Sequence, residues 1–236
     1  MCTASWRHAA DGFELHFNRD ESVRRGKARP PEPLDVEGVR ALAPIDADAG
    51  GTWLGVNEHG FVVALLNAWD LRDDAREPRS RGLLVRDLLA AADVAAATAR
   101  LAREDLARYR GFTLLFLAPG GAAGVRQWDG RTLNELPPER PLASSSLDGG
   151  RARAERRALF ARLSGDSDEP SREVLERFQA SHEPERGPWS PCMHRVEAST
   201  VSASQVRVDA RAVALRYADG PPCERPFGPW LTLARR

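Results

Sequence analysis

The chain has 236 residues, 42% of them hydrophobic, and its 34 Lys+Arg balance 34 Asp+Glu to a formal net charge of zero at pH 7. This length supports one substantial core, so a single domain over residues 1–236 is expected. The balanced charge gives no global attraction to nucleic acid or to an anionic membrane surface, and neither is expected as a partner.

Residues 2–7 and 12–18 read as strands joined at Asp11-Gly12. In FELHF, Phe13, Leu15 and Phe17 alternate with Glu14 and His16, the pattern of a strand with one buried face. From Glu21 to Gly50 the pattern dissolves into Arg, Pro and Asp, including RPPEP, and is read as a long surface loop. GGTWLGVNEHGFVVALLN then gives two apolar runs around Asn57-Glu58-His59-Gly60, a hairpin whose Val and Leu density suits a central position. Residues 80–109 carry Leu, Val and Ala at helical spacing in two segments, the second capped by Asp93. GFTLLFLAP and AAGVRQWDG form a further hairpin pair, with short strands around 131–144. Residues 151–163 and 171–181 are helical, the latter opened by Pro170-Ser171, and STVSASQVRVDARAVALRYADG is a long hairpin turning near Asp209-Ala210. That order fits an α+β layered sandwich with a mostly antiparallel core and no glycine-rich phosphate loop.

Early charges at Arg7, His8 and Asp11 interrupt any apolar leader, and no run approaches the ~18 apolar residues of a spanning helix. A cytoplasmic location without integral membrane association is expected. Cys2, Cys192 and Cys223 are far apart in sequence and odd in number, which argues against a disulfide framework. No CxxC or HxxxH pair suggests a metal site. Cys192 and His194 alone make a poor metal pair, and no metal is expected. His16, His59 and His182 are read as solvated, the charges along 151–162 as a wet helix face, and Asn57 and Glu58 as turn formers.

One position carries chemistry of its own. Cys2 follows Met1 and is small enough for methionine aminopeptidase to act before it, which would leave a thiol and a free α-amine on one residue. An amine with a pKa near ~8 can take the proton of its own side chain, so one residue serves as nucleophile and base.

The motifs MCT at the start, FNRDE at 17–21, GGTWLGVNEHG at 50–60 and ALLN at 64–67, in that order, resemble the NRDE family, also called the transport and Golgi organisation family. The match is dense over residues 1–67 and thinner beyond. More distantly, the MC terminus, the Arg and Asp after the second strand, and VNEHG followed by LN resemble the choloylglycine hydrolase and penicillin V acylase group. CMHRVEASTVSASQVRV with LRYADGPPCERPF resembles the closing hairpin of the isopenicillin N acyltransferase-like branch. Together these imply the N-terminal nucleophile (Ntn) hydrolase fold, a four-layer αββα sandwich of two mainly antiparallel sheets.

The resemblance implies a catalytic set of Cys2, Arg19, Asp20, Asn67 and Ser144. Asp20 would accept from the α-amine, Arg19 would lower the thiol pKa, and the Asn67 backbone N–H would help hold an oxyanion. Neighbouring residues on a regular strand point to opposite faces, so Arg19 and Asp20 reach one thiol only if the strand bends or ends there. Ser144, in LASSSLD, stands where relatives carry an Asn amide as second oxyanion donor, and the Trp that normally follows is replaced by GGRARAERR. Asn18, Glu21, Gly51, Thr52 and Trp53 are expected around the binding site, with Gly50 to Trp53 shaping its wall.

Two functions follow. In the first, Cys2 attacks an amide or takes part in acyl transfer. In the second, the resemblance implies a carrier on the same fold that binds haem, acyl-coenzyme A or lipid, with the basic residues Arg24, Arg25, Lys27 and Arg29 meeting propionates or phosphates. The expected partners are thus a small-molecule amide, an acyl thioester or haem. No cofactor is required, haem entering only as a ligand.

Overall fold

A computed structural model of the chain describes residues 2–68, 78–165 and 167–236. β1 (Cys2–Ala9) and β2 (Gly12–Ser22) form the first hairpin, with Ala9 opposite Gly12. β3 (Arg29–Val36) and β4 (Val39–Ile45) follow, then the hairpin of β5 (Leu54–Asn57) and β6 (Val62–Asn67). α1 (Arg81–Leu88) and α2 (Val94–Leu101) lead to β7 (Phe112–Leu117), β8 (Ala123–Trp128), β9 (Leu133–Leu136) and β10 (Leu142–Ser144). α3 (Gly149–Ser164), α4 (Arg172–Ala180), β11 (Ala198–Val208), β12 (Ala212–Ala218) and β13 (Leu231–Ala234) complete the chain.

The strands make two antiparallel sheets, ordered β10-β1-β2-β11-β12-β13 and β3-β4-β5-β6-β7-β8-β9. Their inner faces share one core, in which Trp6, Phe13, Leu15 and Phe17 meet Leu42, Leu54, Val62 and Leu115. The outer face of the seven-stranded sheet packs Phe61, Val63, Phe112 and Phe116 against Leu84, Leu88 and Leu101 of α1 and α2. α3 and α4 pack on each other through Leu159, Phe160, Leu175 and Phe178 and cover the other sheet at β1, β2 and β10. Helix, sheet, sheet, helix is the four-layer α+β arrangement expected.

The sequence periods predict most of this because β2 alternates apolar and polar residues, the central strands β5–β7 run apolar on both faces, and the helices open on oxygen caps. Asp93 accepts from Ala96 N and Ser171 from Val174 N, each side-chain oxygen satisfying an amide that the first helical turn leaves without a partner. The long loop over 21–50 is corrected: β3 and β4 occupy most of it. Pro30, Pro31 and Pro33 fit a strand because β3 is an edge, where missing N–H groups face away from the ladder, and the register shifts between Arg29 and Glu32. β13 also escaped the periodicity, as a four-residue edge strand that is never fully buried.

Asn57 does more than turn the chain. Its Oδ1 accepts from His59 N (3.0 Å) and Phe61 N (3.1 Å), and its Nδ2 donates to Leu89 O (2.8 Å) and Ala91 O (2.6 Å), binding the β5–β6 hairpin to the end of α1. Glu58 is buried too, paired with Arg40 (2.7 Å) and Arg236 (3.2 Å). His16 is corrected from solvated to buried. Burial holds its pKa down to about 3, so it stays neutral beside Gln205.

Candidate active site

Cys2 lies between two strands, opposite Arg19 on β2 and Ser144 on β10. Directly opposed residues of antiparallel strands share a face, so these three side chains stand together on the inner face of their sheet. There Cys2 and Arg19 meet a cleft of about 340 Å3, lined from the other side by Thr52, Trp53, Leu65 and Asn67. The Cys2 nitrogen donates to Ser144 Oγ at 3.1 Å. Ser144 therefore holds the nitrogen of Cys2 as an acceptor, with its own hydroxyl proton free to donate.

The opposite face carries a second set. Asp20 Oδ1 accepts from Thr200 Oγ1 at 2.6 Å, and Oδ2 faces Arg156 Nη2 at 3.4 Å. Arg156 is fully buried, bonds Thr3 Oγ1, and donates through Nε to Trp189 O at 3.2 Å. β2 neither ends nor turns at Arg19-Asp20. The irregularity lies in β11, whose register shifts between Thr200 and Ser202 and so sets Thr200 against Asp20. The Asp20 carboxylate is engaged by Thr200 and Arg156, while its backbone N–H supports the Cys2 sulfur.

The electrostatics follow from this division. Burial pushes the Cys2 thiol up to about 11, the Asp20 charge adds to the rise, and Arg19 and the Asp20 N–H oppose it. The expected lowering by Arg19 is thus present and outweighed. Burial likewise pushes the Asp20 carboxyl up, against the pull of Arg156 and Thr200. Arg19 lies 4.2 Å over the Trp53 ring and 3.7 Å from Glu21, so its charge is held at the cleft wall.

The wall is built by close backbone approach. A Cβ on Gly51 would lie 2.2 Å from the Gly82 carbonyl carbon, and Thr52 N donates to Gly82 O at 2.9 Å, which presses the segment onto the start of α1. Thr52 Oγ1 donates to Leu54 O at 2.8 Å. Along β6, Leu65 N donates to Trp53 O and Ala68 N to Gly111 O, so its amides alternate between neighbours. That alternation turns the Asn67 N–H toward the Trp53 side, where the cleft lies.

Asn18 is not at the cleft. Its Nδ2 donates to Gln179 O (2.8 Å) and Pro191 O (2.9 Å), tying α4 and the following segment to β2. The basic run is neutralised locally: Arg25 pairs with Asp46 (2.5 Å), Lys27 with Asp219 (2.6 Å) and Arg29 with Glu32 (2.9 Å). Arg156 was missed, read as part of a wet helix face. Its signal is spacing, since Ala152, Arg156, Leu159 and Phe160 form the buried stripe of α3. His182, read as solvated, and the pair Cys192 and His194 are also corrected: with Cys223 they form one cluster whose ligand atoms lie within 4.8 Å of one another.

A search of curated protein sequences gave no match. Among solved structures, the N-acylethanolamine-hydrolyzing acid amidase ortholog of Caenorhabditis elegans is similar at a TM-score of 0.58 and 12% identity, over 87% of this chain and 92% of that one. A mutant of the conjugated bile acid hydrolase of Clostridium perfringens gives 0.59 and 13%, over 99% and 92%. Penicillin V acylase of Agrobacterium tumefaciens gives 0.50 and 11%, over 94% and 93%. At these identities the likeness shows the fold, which is that of the Ntn hydrolases. The family profile described as Transport and Golgi organisation 2 matches residues 1–136, more than half of the chain and the whole of the segment that carries Cys2, Arg19, Asp20 and Asn67. The chain belongs to the Transport and Golgi organisation 2 family.

Proposed function

We propose that the protein is a cysteine Ntn amidohydrolase or acyltransferase, its nucleophile completed when whatever precedes Cys2 is removed. The observation that carries this reading is the placement of Cys2 on the cleft face with its nitrogen held by Ser144 at 3.1 Å. A thiol pushed up to about 11 has almost no thiolate at neutral pH. A free α-amine on the same residue supplies the missing base. The sulfur then attacks the carbonyl carbon, a C–S bond forms, the C–N bond breaks, and the amine leaves with the proton passed from the α-amine. Water or a second amine cleaves the thioester and restores the thiol.

In this reading the Asn67 N–H stabilises the oxyanion, and Arg19 on Trp53 holds one wall. Trp53 Nε1 is buried without a partner among the described residues, and a bound carbonyl or carboxylate would satisfy it. Arg19, Arg25, Arg79, Arg81 and Arg110 line the cleft together with Glu21 and Asp46, so its wall is polar and suits an amide substrate. A carrier of haem or acyl-coenzyme A would use the same cleft. Three of its four basic anchors, Arg25, Lys27 and Arg29, are already paired with carboxylates, which favours the nucleophile.

The test is intact-mass analysis of the natively expressed protein, followed by incubation with a panel of N-acyl amides and acyl thioesters. The expected result is a chain beginning at Cys2 that gains a hydroxylamine-labile acyl mass on that residue, with Cys2→Ala unlabelled and inactive. Full turnover by Cys2→Ala, or retention of a residue before Cys2 in all of the active protein, would overturn the reading.

A further inference from the structure

Behind the Asp20–Arg156 pair, on the far side of the sheet from the cleft, His182, Cys192, His194 and Cys223 converge. Cys192 Sγ lies 3.4 Å from Cys223 Sγ, and His194 Nε2 lies 3.6 Å from Cys192 Sγ and 3.4 Å from Cys223 Sγ. His182 joins them within 4.8 Å, and its Nε2 is buried with no hydrogen-bond partner among the described residues. A tetrahedral zinc with Zn–S near ~2.3 Å and Zn–N near ~2.0 Å needs edges of about 3.5 Å between sulfur and nitrogen and about 3.8 Å between sulfurs; the two His194–sulfur edges match, while the sulfurs must part slightly and His182 move in to close on the ion. A disulfide needs sulfurs about 2.05 Å apart, well inside the separation found.

The shell around the cluster is ordered in the way ligands require. Cys192 N donates to Ser181 O at 3.1 Å, which brings the residue after Ser181 back to the cysteine. Ser190 Oγ donates to Cys192 O at 2.8 Å, and His194 N to Gly187 O at 3.3 Å, fixing both ends of the Cys-x-His step. Two thiolates and two imidazoles are a soft to borderline donor set that suits zinc over calcium or magnesium, and four protein ligands leave no open position for catalysis.

We propose that His182, Cys192, His194 and Cys223 form a closed structural zinc site that pins the 182–194 segment and the turn bearing Cys223 behind the Asp20–Arg156 pair. The link to that pair is direct. Met193, between two ligands, donates through its N–H to Thr200 Oγ1 at 2.8 Å, and Thr200 in turn bonds Asp20; Trp189 O in the same segment accepts from Arg156. The site lies outside the segment matched by the family profile and does not depend on Cys2 being a nucleophile.

The experiment is metal analysis of the full chain, expressed with zinc and purified without chelator under reducing conditions, together with Cys2→Ala, Cys223→Ser and His182→Ala. About one zinc per chain is expected in the parent and in Cys2→Ala, with loss of most of it and a lower Tm in the other two. Because a ligand variant can fail to fold, the parent protein is also stripped of zinc and titrated with cobalt. Intense thiolate-to-cobalt charge-transfer absorption with tetrahedral d–d bands, reversed by zinc, is the expected signature. Absence of zinc with no such spectrum, full zinc retention by folded Cys223→Ser, or a Cys192–Cys223 disulfide in the reduced preparation would each overturn the proposal.

Discussion

Arg156 is the residue whose environment most constrains the site. It is fully buried and balances Asp20 in a region from which water is excluded. Removing one partner leaves an unpaired buried charge, so Arg156→Met is expected to lose about 3–5 kcal/mol of stability in urea unfolding. Asp20→Asn in the same background is expected to recover part of that loss, because the orphaned carboxylate is then gone. Strict additivity of the two changes would show that the pair is not coupled. Asp20 was legible in the sequence as part of NRDE, and its partner was not. The pairing spans 136 positions and depends on α3, seated on β10 and α4, sending Arg156 in to Thr3 and Asp20, which no local spacing encodes.

Among the elements, the β5–β6 hairpin and α1 form the frame of the cleft wall. The VNEHG turn was legible as a turn because Gly60, at φ +79°, closes it. The two bonds from Asn57 to Leu89 O and Ala91 O were not, since they reach more than thirty residues onward. Asn57→Ala leaves those carbonyls and the Phe61 N–H without their partner, and is expected to cost about 2 kcal/mol or more. Hydrogen exchange that speeds up first in α1 and the segment around Thr52 is the accompanying readout. Unchanged stability with unchanged exchange in α1 would remove Asn57 from this role. β3 makes the complementary point: its prolines hid a strand, because an edge position tolerates what a central strand does not.

Across the whole molecule, the six-stranded sheet and α4 are joined at Glu14 of β2. Arg172 at the start of α4 donates to it at 2.9 Å through Nε, with Arg7 at 3.7 Å and Arg207 at 3.8 Å. Burial alone would raise this carboxyl, but the three arginines outweigh it and hold it below the usual carboxylate range. Its contribution is therefore fully present above the unfolded value near ~4.3 and is lost as pH falls through the lower folded value. Urea midpoints measured from pH 6 down to about pH 3 are expected to fall more steeply for the parent than for Glu14→Gln. Parallel curves would show that Glu14 carries none of the acid sensitivity. Among the described residues, no helix is long and apolar enough to cross a membrane.

The sequence by itself determined the helices and the central strands, though not the strands β3, β4 and β13, together with the helix caps and the motif set at the N-terminal end that places the chain in its family. These are properties of neighbouring residues, set by side-chain period, turn chemistry and capping oxygens. Only the tertiary structure decided which groups meet. It put Ser144 on the nitrogen of Cys2, sent Arg19 and Asp20 to opposite faces of one sheet, and drew His182, Cys192, His194 and Cys223 together. The reason is physical: pleat and sheet order turn positions far apart in the chain into cross-strand neighbours, and burial then decides which charges and thiols must find a partner.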